Sequence, residues 1–470
     1  MGLRVSRILH AGYIFESADT KIVFDPIFEN PFSRNCYAFP KVSFDLNAIR
    51  ALQLDAVFIS HHHDDHCSLE SLNLLSRETP IYLYCIHDEM FEIIRKLGFA
   101  SVQPLFLNTP VQVGTFTITP RKALDPDVDS IFQIQADGLN VLNVVDSWMD
   151  PIALDDLKQL APWDLVLWPF QTMLEVDVLS PSRASPASRE LPPEWIEQIK
   201  SLNPRAIVPS SCQFIHEEWS WYNHALFPIT YRQFEKEVRS ALPTAEVIRM
   251  NPSASLVLEL KSIRPTSPLS WVAPMGEQNV DYEFRLDKPP STDEIARHFP
   301  ALTDEQSQRV HHYCRNELLD KYRDLGPSQD PYFRRPRHWR LSLYDQNGDV
   351  VVYRYLLEHD NIVLQEVSNG AIDWQTDVPI AKLYAALELG ESLTSMYVRI
   401  NDRPLSPTVE AELAETDLLE DPLLRCLFSR DFASFQLAQL RNLVTAPKPK
   451  PSTAGEQVLL ASNSSLPKSR

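Results

Sequence analysis

The sequence predicts a layered α/β protein over residues 1–265, followed by a smaller α+β domain. Short apolar runs alternate with helical patterns between Ala56 and Leu97, which is the rhythm of strands covered by helices. Four further strand-like runs between residues 111 and 146 indicate a β-meander. In the second half, Asn347-Gly348 separates two strand-like runs, and this dipeptide is a strong signal for a β-hairpin.

The first part begins with three strand-like runs and a long connection. Residues 27–50 read as a loop that we expect to lie over the functional site, because long connections are often functional. The predicted strands lie near residues 3–5, 13–16, 21–24, 56–60, 81–84, 111–113, 115–119, 131–134, 141–146, 165–168, 206–209, 247–250 and 255–260, and the predicted helices near 69–76, 89–97 and 193–202.

A proline-rich segment at Pro265–Pro268 predicts the end of the first domain. The second domain, 266–444, has predicted helices near 292–298, 303–325, 377–390 and 432–443, and predicted strands near 339–344, 350–356, 362–367 and 394–400. Residues 445–470 are rich in Pro, Ser, Lys and Ala, and we expect a disordered tail there.

Composition narrows the classes of partner. A formal net charge of −19 over 470 residues argues against nucleic acid or an anionic membrane as the main partner, because both select basic surfaces. No apolar run approaches the roughly 18 residues of a membrane span. The six cysteines are scattered and no signal-peptide pattern is present, which predicts reduced thiols in the cytoplasm. We expect a small-molecule substrate, and the oligomeric state stays open.

One stretch concentrates metal-binding side chains. Directly after the apolar run Ala56–Ile59, the sequence Ser60-His61-His62-His63-Asp64-Asp65-His66 places four histidines and two aspartates within six positions. Imidazole and carboxylate are the ligands that divalent transition metals take in proteins. A strand also holds the loop at its own end rigidly, as a metal site requires. The stretch therefore predicts a metal site at the carboxyl end of a strand.

The spacing His61-x-His63-x-Asp65-His66 resembles the motif of the metallo-β-lactamase superfamily, and the resemblance extends to about residue 260. It implies a four-layer αββα sandwich, with His61 and His63 on one metal and Asp65 and His66 on a second. His62 and Asp64 would then point away or support the ligands. Asp146 follows an apolar strand, and it matches the aspartate that bridges both metals in this superfamily.

The opening of the chain carries a second part of the resemblance. His10-Ala11-Gly12, followed by a hairpin and Asp25-Pro26, is similar to the start of lactonase-like members of the superfamily. There the aspartate usually lies beside the metal site without binding the metal. For His10 we favour a hydrogen-bonded structural role.

The resemblance also implies two histidines that this chain lacks. One is expected shortly after Pro120, where the nearest candidates to replace it are Asp125 and Asp127, with Asp129 as a weaker one. The other is expected two residues after Pro209, at Ser211. Candidates for this second role are Cys212 and His216. A thiolate ligand favours zinc, whereas a carboxylate-rich set favours iron or manganese.

The leading hypothesis is a hydrolase with one or two Zn²⁺ ions, in which a metal-activated water attacks an ester, amide, lactone or phosphoester. Asp65 would orient that water or protonate the leaving group. A di-iron oxygenase or hydroxylase on the same fold is the alternative, since the chain also looks similar to sialic-acid-nucleotide hydroxylases. A third hypothesis is a degenerate scaffold with a binding role.

Overall fold

The computed structural model describes residues 2–172, 175–366, 371–413, 416–428 and 435–445. The predicted tail from residue 446 onward lies outside these ranges. Up to residue 274 the strands are, in chain order, β1 (Leu3–Arg7), β2 (Tyr13–Ser17), β3 (Thr20–Phe24), β4 (Tyr37–Ala38), β5 (Val42–Phe44), β6 (Ala56–Ile59), β7 (Ile81–Leu83), β8 (Val102–Pro104), β9 (Val111–Val113), β10 (Phe116–Lys122), β11 (Ser130–Ala136), β12 (Leu139–Asn143), β13 (Leu165–Trp168), β14 (Ala206–Pro209), β15 (Phe214–Ile215), β16 (Glu246–Val247), β17 (Ser255–Leu258), β18 (Ile263–Thr266) and β19 (Val272–Pro274).

Two large sheets form the centre of this part. One has eight strands in the order β18-β17-β1-β2-β3-β6-β7-β8, and the other has seven in the order β16-β14-β13-β12-β11-β10-β9. The α-helices are α1 (Leu46–Arg50), α2 (Leu69–Leu72), α3 (Asp88–Lys96), α4 (Pro151–Leu157), α5 (Pro193–Leu202), α6 (Tyr222–Ala225) and α7 (Tyr231–Ala241). Short 3₁₀ helices lie at Lys158–Leu160 and Glu175–Leu179.

The side chains of β6 show how the layers pack. Ala56 and Phe58 point into the core between the two sheets, where Phe58 lies 5.2 Å from the Phe24 ring. Val57 and Ile59 point the other way, into the core beneath the helices. A strand buried on both faces reads as a continuous apolar run, which is why the sequence pattern located it. The result is the predicted αββα sandwich.

Residues 27–50 are not an irregular loop as predicted. They contain β4, β5 and α1, and Asp45 caps the helix by accepting hydrogen bonds from the amides of Asn47 and Ala48. The predicted boundary near 265 is also misplaced. It falls inside β18, which pairs with β17, and β19 then pairs with β5. We propose that the boundary lies beyond Tyr282, whose hydroxyl donates to the carbonyls of Cys212 and Phe214.

The remaining chain forms a five-stranded sheet with helices. Its order is β22-β21-β20-β23-β24, with β20 parallel to β23. The strands are β20 (Arg337–Tyr344), β21 (Val350–Glu358), β22 (Asn361–Leu364), β23 (Trp374–Pro379) and β24 (Arg399–Ile400). The α-helices are α8 (Thr292–Ala296), α9 (Asp304–His312), α10 (Leu318–Leu325), α11 (Ile380–Glu388), α12 (Pro407–Leu413), α13 (Pro422–Phe428) and α14 (Phe435–Thr445). A π-helical turn, Tyr313–Glu317, joins α9 to α10, and 3₁₀ turns lie at Pro331–Arg334, Thr394–Met396 and Leu418–Glu420.

Two predictions for this half are wrong. Residues 377–379 do not begin a helix, because they complete β23, where Asp377 pairs with Ser342 of β20. Tertiary pairing outweighs the local pattern, in which an aspartate and a proline before an apolar run look like a helix cap. The predicted strand 394–400 is a 3₁₀ turn followed by the two residues of β24.

The C-terminal helix returns to the first part of the chain. Helix α14 packs on α2 and α3, and the side-chain amide of Gln439 donates to Asp64 Oδ1 at 2.8 Å. The Arg34 guanidinium donates to the carbonyl of Gly390 at 2.6 Å and pairs with Glu70 at 3.0 Å. The second half of the chain is therefore attached to the turn that follows β6. No helix in the described ranges is long and apolar enough to cross a membrane.

Candidate metal centre

The turn after β6 is held by backbone hydrogen bonds and by the end of the neighbouring strand. The amides of His66 and Cys67 both donate to the His63 carbonyl, at 3.0 and 2.7 Å. Because β3 and β6 are parallel, they end at the same edge of the sheet. There Asp25 Oδ1 accepts a hydrogen bond from the Ser60 amide at 2.8 Å.

Asp25 sets which nitrogen of His66 carries the proton. His66 Nδ1 lies 3.0 Å from Asp25 Oδ2, and a carboxylate can only accept there. The proton of neutral His66 is therefore on Nδ1, and Nε2 carries the lone pair. That nitrogen faces Asp146 Oδ2 at 2.9 Å and Asp65 Oδ2 at 3.7 Å. Carboxylate support of this kind is typical of metal-binding histidines.

His61 is oriented through Ser60. The Ser60 hydroxyl donates to Asp25 Oδ2 at 2.7 Å, so it accepts from His61 Nδ1 at 2.9 Å. His61 Nε2 is then left with a free lone pair, 3.0 Å from His63 Nδ1. One aspartate thus directs the donor atoms of both histidines toward the cavity.

The donor atoms form two adjoining groups. The first contains His61 Nε2, His63 Nδ1 and Asp129 Oδ1, which is 3.7 Å from His61 Nε2. In the second, one atom each of His10, Asp65, His66 and Asp146 lies within 4.8 Å of the others. Two ligands about 2.1 Å from one ion at a tetrahedral angle are about 3.4 Å apart. The separations within both groups therefore fit a bound divalent metal.

The electrostatics also fit a cation. Burial acts against ionisation of the Asp146 and Asp65 carboxyls, but the neighbouring histidines, with His66 foremost, together outweigh it and hold both pKa values below the ordinary range. Burial, followed by the charge of Asp146, raises the pKa of Asp129 to about 7. Carboxylates crowded this closely repel each other, and a metal ion removes that repulsion.

His10 lies in the second group but is not free to bind through Nε2 as a neutral ring. The Cys212 amide donates to His10 Nδ1 at 3.0 Å, so the proton of neutral His10 is on Nε2. This N–H faces His66 Nε2 at 3.1 Å and Asp65 Oδ2 at 3.3 Å. The arrangement makes His10 a hydrogen-bond donor to a ligand carboxylate, in line with the hydrogen-bonded role that the sequence favoured. No sequence pattern indicated its contact with Asp65.

The candidates for the first missing histidine need correction. Asp125 and Asp127 are exposed at the tip of the β10–β11 connection, whereas Asp129 lies in the cavity beside His61. The β10–β11 register explains this, because Ser130 pairs with Lys122 and the residue before it lies at the sheet edge. The weaker sequence candidate, Asp129, is the one that the structure places at the site.

The candidates for the second missing histidine do not join the donor groups. The Ser211 hydroxyl donates to the Val145 carbonyl at 2.8 Å. Cys212 contributes its amide to His10, as described above. His216 is buried among the rings of Phe214 and Tyr222, and burial lowers its pKa to about 3. His62 and Asp64, predicted to point away or support the ligands, lie against the His87 ring and Gln439.

A cavity of about 670 Å³ opens in front of both groups. Its walls include Trp148 and Trp195 on one side. On the other side, Ser392 to Thr394 and the end of α13 close it. The Ser392 hydroxyl donates to the Ser33 carbonyl at 3.2 Å, which fixes this wall to the first part of the chain. The six imidazole and carboxylate donors at the base of this cavity could hold a divalent metal ion.

The fold and the donor set thus define an αββα sandwich with a candidate metal site, and the comparison with family models agrees with this fold. Residues 4–211 match the model described as beta-lactamase superfamily domain, and this part of the chain belongs to that superfamily.

Curated relatives match a shorter stretch. Cytidine monophosphate-N-acetylneuraminic acid hydroxylase of Danio rerio is 26% identical over 155 residues, which are 31% of this chain and 26% of that protein. The Cricetulus griseus hydroxylase is 25% identical over 153 residues, 31% of this chain and 27% of that protein. The protein named as an inactive form of this hydroxylase in Homo sapiens is 25% identical over 152 residues, 31% of this chain and 30% of its own. The match thus spans about a quarter of the length of these relatives.

Solved structures are similar to about half of this chain at low identity. Igni18, a metallo hydrolase from Ignicoccus hospitalis, is 19% identical with a TM-score of 0.40, covering 56% of this chain and all of its own. CmlA, a diiron β-hydroxylase from Streptomyces venezuelae, is 15% identical with a TM-score of 0.37, covering 55% of this chain and 54% of its own.

Proposed function

We propose that the protein is a metal-dependent hydrolase acting on an ester, amide, lactone or phosphoester. The observation that supports this most directly is the pair of donor groups at the base of an open cavity. His61, His63 and Asp129 would hold one metal, Asp65 and His66 a second, and Asp146 faces both. Bound there, a divalent metal lowers the pKa of a coordinated water and polarises the attacked bond.

The chain itself supplies orientation and proton handling. Asp65 Oδ2 faces the cavity and accepts from His10 Nε2, so its second oxygen is available to orient a water or to protonate a leaving group. Asp25 keeps the lone pairs of His61 and His66 directed at the metal position. The wall contributed by residues 392–394 limits access of bulk water to the site.

Zinc is the metal we propose first, with iron or manganese as the alternative. Protein purified without added metal should contain one or two zinc ions per chain by mass spectrometry. The zinc form should hydrolyse at least one of phenyl acetate, γ-butyrolactone and bis(p-nitrophenyl) phosphate, and Asp65→Asn should lose that activity while Asp137→Asn keeps it. Less than about 0.2 metal ion per chain after reconstitution would exclude a metalloenzyme.

A di-iron hydroxylase is the second proposal, and Asp129 is the observation that favours it. A carboxylate in place of a histidine gives three carboxylates and three imidazoles, a harder donor set that suits iron or manganese. The sequence relatives are named as hydroxylases, which adds support. Two irons per chain, a visible charge-transfer band and oxygen uptake with an added reductant would support this reading. Zinc content with hydrolysis of the panel would refute it.

A further inference from the structure

The cavity described above contains no cationic side chain among the residues that the structure describes. Five aspartates line it and neither lysine nor arginine does. Three of these aspartates belong to the donor groups, and Asp64 is occupied by Gln439. His216, the lining histidine outside the metal turn, is kept neutral by burial. An anionic substituent distant from the metals would therefore meet no compensating charge from the lining residues that the structure describes.

Trp148 gives the cavity a flat apolar surface close to the metals. It follows the metal-facing Asp146 by two residues, and its carbonyl accepts from the Leu124 amide at 2.7 Å. Its ring leans on that of Trp195, with centroids 5.2 Å apart and an interplanar angle of 51°. The side chain is nevertheless 40% exposed, on the wall of a cavity. A fixed, exposed indole in such a place is suited to packing against a ring of a ligand.

Asp177 adds a negative charge to the cavity wall that no cation offsets among the described residues. Burial is the one resolved cause of the raised pKa of this carboxyl. Asp177 belongs to the 3₁₀ helix Glu175–Leu179 and lies outside the donor groups. A cationic substituent on the ligand would find a partner here, and an anionic one would be repelled.

From these observations we infer that the cavity is a subsite for a substrate with a flat apolar group that packs on Trp148 and with no anionic group beyond the reacting bond. The inference rests on the proposed metal-dependent function and narrows its substrate class to uncharged or cationic ring-bearing molecules. Densely anionic substrates, such as nucleotides, are disfavoured by the same charges.

Three 2-substituted naphthalenes of different charge test this inference. Naphthalene-2-methanol, 2-(aminomethyl)naphthalene and naphthalene-2-sulfonate are titrated into the metal-loaded full chain by calorimetry. The neutral and cationic probes should bind about tenfold more tightly than the sulfonate. Trp148→Ala should weaken the neutral and cationic probes about tenfold, and Asp177→Asn should weaken only the cationic one.

The matched control is Phe106→Ala, because Phe106 is also an exposed aromatic residue, at 63%, but lies outside the cavity lining. Equal or tighter binding of the sulfonate would overturn the inference. So would undetectable binding of the neutral probe, or binding that Trp148→Ala leaves unchanged. The outcome is separate from turnover: γ-butyrolactone hydrolysis reports on the proposed function alone, since this ester has no ring substituent to place on Trp148.

Discussion

Asp25 offers the sharpest test of the metal centre, because one carboxylate orients two histidines without facing the cavity itself. In Asp25→Asn, one of the two side-chain positions becomes an NH₂ group. At the Oδ2 position it would oppose the proton on His66 Nδ1 and the Ser60 hydroxyl, and at the Oδ1 position it would oppose the Ser60 amide. To relieve the clash with the new NH₂ group, the His66 proton moves from Nδ1 to Nε2. There it blocks the atom that would bind the metal.

The expected loss follows from these contacts. Substitution of a residue that supports a metal ligand typically lowers metal affinity about 10- to 100-fold. This corresponds to about 1.4–2.8 kcal/mol, in the range of a hydrogen bond to a charged group. Chelator competition at pH 7 measures the affinity, and the metal content after dialysis measures the stoichiometry.

Asp137→Asn is the matched control. Asp137 also accepts a hydrogen bond from a serine, at 2.9 Å from Ser17 Oγ, and both aspartates have positive φ, which asparagine tolerates. The control should bind metal like the unmodified protein. If Asp25→Asn does so too, with unchanged stoichiometry, the assignment of donor atoms through Asp25 is wrong.

Three further predictions concern the turn and its surroundings. His63→Ala should abolish metal binding and His62→Ala should spare most of it, because of these two histidines only His63 lies beside His61 Nε2. Equal metal loss in the two variants, measured by mass spectrometry, would contradict this. Burial raises the pKa of Glu29 to about 8 from 4.5, so the folded protein holds the extra proton. The stabilising effect of this proton is complete below about pH 4.5 and is lost as pH rises through 8. The free energy of unfolding falls by no more than about 1.4 kcal/mol per pH unit over this range. The free energy of unfolding, measured in urea, should fall less steeply with rising pH in Glu29→Gln than in the unmodified protein. An identical pH dependence in both proteins would show that Glu29 does not cause this decline. Gln439→Ala should lower the free energy of unfolding by about 1–3 kcal/mol, since it removes a donor to buried Asp64, and no change in the urea midpoint would argue against that contact.

Local sequence signals were sufficient for the metal turn and for most strands of the two large sheets, whereas the short strands β4, β5, β8, β15, β18 and β19 were not predicted. His61 to His66 follow a strand buried on both faces, so spacing along one short segment fixes the arrangement. Site residues that lie on a connection between two strands could not be located from local spacing in this way. Asp129 reaches the cavity because the β10–β11 register returns the chain to the sheet edge, while the amides of Val128 and Asp129 donate to the Asp125 carbonyl within the turn. The number of residues after Pro120 does not indicate which aspartate of this connection reaches the cavity.

The sequence patterns did not predict the long-range contacts. Ser392 and Leu393 follow the metal turn by more than 300 residues, and long-range contacts such as the hydrogen bond to Ser33 and the Arg34 contact with Gly390 hold them at the cavity. β23 was missed for a related reason: its parallel pairing with β20 is a tertiary contact, and its local sequence looks like a helix start.

The connection after β14 shows why loss of an expected ligand does not require loss of the site. At the position of the missing histidine, the Ser211 hydroxyl donates to the carbonyl of Val145, which has a φ of 63° directly before Asp146. One residue later, the Cys212 amide fixes His10, whose N–H supports Asp65. The segment that would deliver a ligand in the family pattern thus holds two ligand carboxylates in place here. A metal bound by His66, Asp65 and Asp146 would depend on those two carboxylates, and this favours metals that accept oxygen ligands over those that require a second imidazole.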